Sequence, residues 1–144
     1  MKLTRLTFLL SAILLVILYS SCKKDTPVAA TYTVPGLWTG TYTVDQLPSQ
    51  SPLFYAFVFK SNNSLITESK GSNGVSYYAQ GTWSLSGNDI TCNYSSINFP
   101  GTTVVQSAKL TFNSSRDTLS SGTWKDVSGG SGYTGKFQLI KKVN

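Results

Sequence analysis

The sequence predicts an all-β protein: an eight-stranded antiparallel up-and-down β-barrel following an N-terminal signal helix. Three observations carry that expectation. From Gly36 onward, β-branched and aromatic residues alternate with polar ones, the period of strands with one buried and one wet face. Turn-forming clusters recur at short intervals, as Ser61-Asn62-Asn63-Ser64, Gly71-Ser72-Asn73-Gly74, Gly87-Asn88-Asp89 and residues 113–117, so consecutive strands join as hairpins. No segment after the leader has the 3.6-residue period of an amphipathic helix. A meander of short strands leaves two raw edges unless the sheet closes on itself, and a barrel is the simplest closure.

The first strand, residues 36–44, places Trp38, Tyr42 and Val44 on one face and Leu37, Thr39, Thr41 and Thr43 on the other. A longer loop, 45–52, follows. The second strand, 53–60, is apolar on both faces, with Leu53, Tyr55, Phe57 and Phe59 opposed to Phe54, Ala56 and Val58. Such a strand needs cover on both sides or presents an interaction surface. The third strand, 65–70, is short. The fourth, 75–86, alternates most cleanly, with Val75, Tyr77, Ala79, Gly81, Trp83 and Leu85 in one phase. The fifth, 90–95, puts Ile90, Cys92 and Tyr94 on one face, and the sixth, 103–112, turns Val104, Ala108, Leu110 and Phe112 inward. The seventh, 118–125, carries Gly122 and Trp124; the eighth, 135–141, carries Phe137 and Leu139.

Gly-x-Trp occurs three times, as Gly36-Leu37-Trp38, Gly81-Thr82-Trp83 and Gly122-Thr123-Trp124. In each, glycine and tryptophan share a face. The glycine lets the strand coil or a neighbouring ring lie on the backbone, and the indole then plugs the barrel end. The first copy, on strand one of an eight-stranded meander and ahead of a long loop, resembles the lipocalin-type barrel, with the avidin type a near neighbour. The resemblance spans residues 36–142 and implies a lipocalin-like barrel domain over 35–144, with no particular ligand. Two family features have no counterpart: a helix after the barrel, and an arginine near the last strand to stack on Trp38, where Lys141 offers partial cover.

Ahead of the domain, Lys2 and Arg5 precede an apolar run from Leu6 to Leu18, the pattern of a secretory signal. The run falls short of the roughly 20 apolar residues of a mature membrane span. At its end, Leu18-Tyr19-Ser20-Ser21-Cys22 resembles the lipobox of bacterial lipoproteins. That resemblance implies removal of residues 1–21 as a lipoprotein signal peptide and diacylglycerol on Cys22. The chain is then exported, with the membrane as its first partner and the outer membrane as its address. Each buried lipid methylene contributes about 0.8 kcal/mol, so two or three chains hold firmly where one would exchange. Lys23-Lys24-Asp25 is similar to the charged tag that follows the lipid cysteine in Gram-negative lineages displaying lipoproteins on the cell surface. Residues 22–34, with Pro27 and Pro35 bracketing small residues, read as a lipidated N-terminus and flexible linker.

The net charge of +6 falls by two, to +4, once Lys2 and Arg5 leave with the leader. The barrel's Lys60, Lys70, Lys109, Lys125 and Lys136 stand singly and form no cluster interleaved with aromatics, so nucleic acid is not an expected partner. The chain has no histidine, which removes the commonest general base and metal ligand. The expectation is a non-enzyme with no catalytic residue, metal or cofactor. Of the acidic residues in the domain, Asp89 and Asp117 fall in turns, and Asp45 with Glu68 is the one conceivable glycosidase-like pair. Gly129-Gly130-Ser131-Gly132 precedes no helix and reads as a hairpin loop, not a phosphate cradle. With Cys22 acylated, Cys92 has no disulfide partner, and its phase with Ile90 and Tyr94 makes it a buried thiol.

Two functional classes remain. A small apolar ligand would lie in the barrel interior among Trp38, Tyr42, Tyr55, Phe57, Tyr77 and Trp83. Alternatively, a solid barrel would bind a protein or glycan through strand-two aromatics and the loops near Asp45 and Tyr133. A cavity of roughly a few hundred Å³ favours the first, a filled core the second. The sequence sets no oligomeric state.

Overall fold

In the computed structural model, which describes residues 33–99 and 101–143, eight strands follow one another in chain order. They are β1 (Gly36–Val44), β2 (Leu53–Phe59), β3 (Ser64–Lys70), β4 (Ser76–Ser86), β5 (Asp89–Ser96), β6 (Val105–Asn113), β7 (Thr118–Ser128) and β8 (Thr134–Lys142). Each pairs antiparallel with the next, and β1 also pairs with β8, so the sheet closes as an up-and-down barrel. The described residues contain no helix, and none long and apolar enough to cross a membrane. The signal segment 1–21, Cys22 and most of the 22–34 linker lie outside the described residues.

The up-and-down order sorts the connections to two ends. Loops 45–52, 71–75, 97–104 and 129–133 gather at one; the turns 60–63, 87–88 and 114–117 gather at the other, beside both ends of the barrel segment. This second end is packed solid. Trp38, Phe57, Ile90 and Cys92 are 0 % exposed there, Phe59 stacks on Phe57 at 5.3 Å, and Trp83 meets Phe59 edge-on at 5.3 Å. Val34 closes the bottom: the Trp38 Nε1 donates to its carbonyl at 2.7 Å, and the Lys142 Nζ donates to the Thr33 carbonyl at 2.7 Å. The chain therefore enters the barrel at its closed end.

All three Gly-x-Trp indoles donate to backbone carbonyls, Trp38 to Val34, Trp83 to Lys60 and Trp124 to Thr43. Buried indole N–H groups need such partners. Trp38 and Trp83 plug the closed end as the pattern implies. Trp124 does not, because it sits two residues above Gly122, toward the opposite end of β7. A Cβ on Gly122 would come within 2.8 Å of the Phe137 Cβ, and one on Gly81 would collide with the Asn93 carbonyl. Both glycines serve close approach, the first by letting Phe137 lie on the backbone.

Strand eight departs from simple alternation. Leu139 adopts φ 54°, the register against β1 slips between Thr39 and Thr41, and the inward phase passes from Phe137 to Ile140. Leu139, in phase with Phe137 by sequence, is instead 78 % exposed. The bulge adds one residue and so inverts every side chain after it. As a result Lys142, not Lys141, lies over Trp38, with its Nζ 5.7 Å from the ring centre. A second slip, between Val105 and Gln106, lets β7 absorb an extra residue near Val127 and run to Ser128, three residues past the expected end.

Candidate functional site

The barrel is solid in one half and hollow in the other. Above the Phe57 layer, Tyr55 and Tyr94 reach across the interior and their hydroxyls meet at 3.1 Å, with buried Thr67 on the same cavity lining. This pair forms the floor of a cavity of about 480 Å³ that opens between the four loops. The volume lies within the ~300–1,000 Å³ range of small-molecule sites.

Two aromatic clusters line this cup. Tyr42 makes edge contacts with Tyr55 at 5.6 Å and with Trp124 at 5.9 Å, and its hydroxyl donates to the Lys70 carbonyl at 3.2 Å. Tyr77 leans on Phe99 of the 97–104 loop at 5.3 Å. A polar wall faces inward from three adjacent strands. Tyr94 on β5 pairs with Gln106 on β6, which pairs with Asp126 on β7, so their side chains lie side by side in one layer. The Gln106 Nε2 donates to Asp126 Oδ1 at 2.8 Å, and the Tyr133 backbone N–H donates to Asp126 Oδ2 at 3.1 Å. These two bonds aim the carboxylate and tie it to the 129–133 loop. Asp126 is the only charged side chain among the described residues that line the cavity.

Burial pushes the phenol pKa of Tyr55 and Tyr94 well above the usual value, hydrogen bonding to its neighbours offsets part of the rise at Tyr55, and burial raises Tyr42 as well. All three stay neutral phenols, able to donate and accept hydrogen bonds. Cys92 lies below the floor, and burial pushes its thiol up to about 12. A thiol so held is not a nucleophile at neutral pH.

Of the six interior residues named from sequence, the structure gathers Tyr42, Tyr55 and Tyr77 around the cup. Trp38, Phe57 and Trp83 belong to the packing beneath and do not line it. Alternation reports which side chains point inward, but not how high along the axis each one sits. Tyr94, Gln106, Trp124 and Asp126 were missed as cavity residues. A signal for two of them was present: Gly122, Trp124 and Asp126 share one phase on β7, which marks Asp126 as an inward carboxylate. Asp45 is spent at the rim, where the Thr134 hydroxyl donates to its Oδ2 at 2.9 Å; Glu68 accepts from Ser76 at 2.9 Å on the outer face of β3. They do not share a cleft. Among the described residues, no three side chains of metal-ligating type come together.

The outside of the first strands carries a separate apolar stripe. Leu37, Val58 and Ile66 are lateral neighbours on β1, β2 and β3, and Phe54, 36 % exposed, lies further along β2 beneath the Lys70 ammonium at 5.9 Å. Ala56, between them, is covered. Strand two is thus apolar on both faces because its inner face is core and its outer face is part of this stripe. No family model, curated protein or solved structure matches the chain.

Proposed function

We propose that the chain is an exported lipoprotein, held at the outer membrane by lipid on Cys22, whose lipocalin-like barrel binds a small, largely apolar ligand in the cup at its open end. The observation that carries the reading is the uneven filling of the barrel: about 480 Å³ stands open above a floor of paired tyrosines, while the other half is packed. An eight-stranded barrel either fills with side chains or leaves room for one small ligand, and the open half of this one supports the ligand reading. Ligand entry needs an open mouth, and the four longer connections supply it. The entry of the chain at the closed end supports the anchoring half of the reading, because a membrane tether there leaves the mouth facing away from the lipid.

Binding is tested by titrating small apolar compounds, charged and neutral, while following tryptophan emission. Trp124 lines the cup and Trp38 and Trp83 do not, so quenching should vanish in Trp124→Phe. Ala79 lines the cavity, and Ala79→Phe should fill it and abolish binding with the barrel still folded. Absence of quenching across the whole panel sinks the ligand reading. Metabolic labelling with a palmitate analogue, lost in Cys22→Ala, tests the anchor.

A further inference from the structure

Resting on the reading of the cup as a ligand site, we infer that its ligand is a small organic cation, an amine with an apolar or aromatic body whose ammonium pairs with the Asp126 carboxylate. The charge inventory points that way. The described lining holds one carboxylate and neither lysine nor arginine, although the chain as a whole is basic. Lys60, Lys70, Lys109, Lys125, Lys136 and Lys141 are all exposed, and Lys70 at the rim turns outward over Phe54. An anionic ligand would bring a second negative charge into the enclosure with no cation to receive it, losing its hydration without compensation.

Asp126 is held as a receptor group would be. Each oxygen accepts one protein hydrogen bond, from Gln106 and from the Tyr133 backbone, which leaves lone pairs on both for a ligand N–H. Among the described residues lining the cavity, no basic side chain competes for it. Through the pairing of Tyr94 with Gln106 and of Gln106 with Asp126, the carboxylate shares a layer with the floor tyrosine while it is tied to the rim loop at Tyr133. Tyr42, Trp124 and Tyr133 line the same cavity as Asp126, and aromatic rings attract cations through their quadrupole. Asp126 is the one carboxylate of the described lining, and the negative character of the cup resides there.

Three probes with one body separate charge from shape: phenethylammonium, 2-phenylethanol and phenylacetate. They are titrated calorimetrically into the full chain, purified in detergent as the cell processes it, against a detergent blank. The ammonium should bind about ten-fold or more tighter than the alcohol, and the carboxylate weakest of the three. In Asp126→Asn the ammonium should lose about that factor while the alcohol is unchanged, which also reports that the cup is intact. Equal binding of the three probes, preference for phenylacetate, or an ammonium affinity indifferent to Asp126→Asn overturns the cation inference and leaves the cup standing as a site. Failure of all three probes while another compound of the apolar panel binds also overturns the cation inference; failure of these probes and of the whole panel overturns the ligand reading itself. The wild-type ranking decides the matter even if the variant fails to fold.

Discussion

Phe57 and Tyr77 both point into the barrel, yet replacing each by alanine should have opposite consequences. Phe57 is 0 % exposed and its ring is enclosed by Tyr55 at 4.8 Å, Phe137 at 5.0 Å and Phe59 at 5.3 Å. Truncating a phenylalanine in such a setting removes its transfer energy and leaves a cavity, at a cost of about 3–5 kcal/mol. Against a total of roughly 5–15 kcal/mol for a domain, that is a large share. Tyr77 is half-buried and leans mainly on Phe99, itself exposed at the rim, so Tyr77→Ala should cost about 1 kcal/mol. With a urea dependence of about 1–3 kcal/mol per molar, Phe57→Ala should lower the unfolding midpoint by roughly 2 M and Tyr77→Ala by well under 1 M. Ligand titration should show the reverse order, Tyr77→Ala weakening binding and the milder Phe57→Leu preserving it. Equal destabilisation by the two alanines would mean that the barrel is filled evenly, and the division into packed and open halves would be wrong.

Leu139 holds φ 54° while 78 % exposed, so Leu139→Gly should relieve about 1–2 kcal/mol of left-handed backbone cost against a smaller entropic loss; the melting temperature should rise, and Leu139→Ile should lower it. Cys92 ionises at about 12 in the fold against 9.0 as a free thiol, so the stability it contributes is fully present below pH 9 and is lost as pH climbs from 9 toward 12. The slope approaches about 1.4 kcal/mol per pH unit for each proton released only on unfolding, and in Cys92→Ala the urea midpoint should fall less steeply over that window. Buried Tyr55 and Tyr94 add in the same direction, and Tyr55→Phe should flatten the decline further. Display on the cell surface is checked with Ser131→Cys at the mouth: a membrane-impermeant maleimide should label it on intact cells, whereas labelling only after permeabilisation would place the mouth in the periplasm.

Most of the strands were legible because alternation is a local signal that survives in any neighbourhood. Trp83 and Ala79 face inward and Ser84 and Gln80 outward for the same reason that the fourth strand could be read at all. The disagreements cluster where one residue is inserted. At Leu139 the positive φ inverts the phase, exchanging Leu139 for Ile140 inside and Lys141 for Lys142 over Trp38. Near Val127 a similar slip carries β7 past the point where its pattern fades. A bulge is chosen by fit to both neighbouring strands: a Cβ on Gly40 would come within 2.6 Å of Ile140, so the β8 bulge and the bare Gly40 in β1 require each other across the sheet.

By itself, the order of residues decided the partition into eight strands, their hairpin succession and, bulges aside, which side chains face the interior. Each of these depends on neighbours one to four positions away. Only the closed sheet decided height: Trp38, Phe57 and Trp83 share an inward phase with Tyr42, Tyr55 and Tyr77, but the stagger accumulated around all eight strands puts the first three in a packed plug and the others around an open cup. The same stagger brings Tyr94, Gln106 and Asp126 into one layer from three strands. That stagger is a sum over non-local pairings, and a period of two carries no information about it.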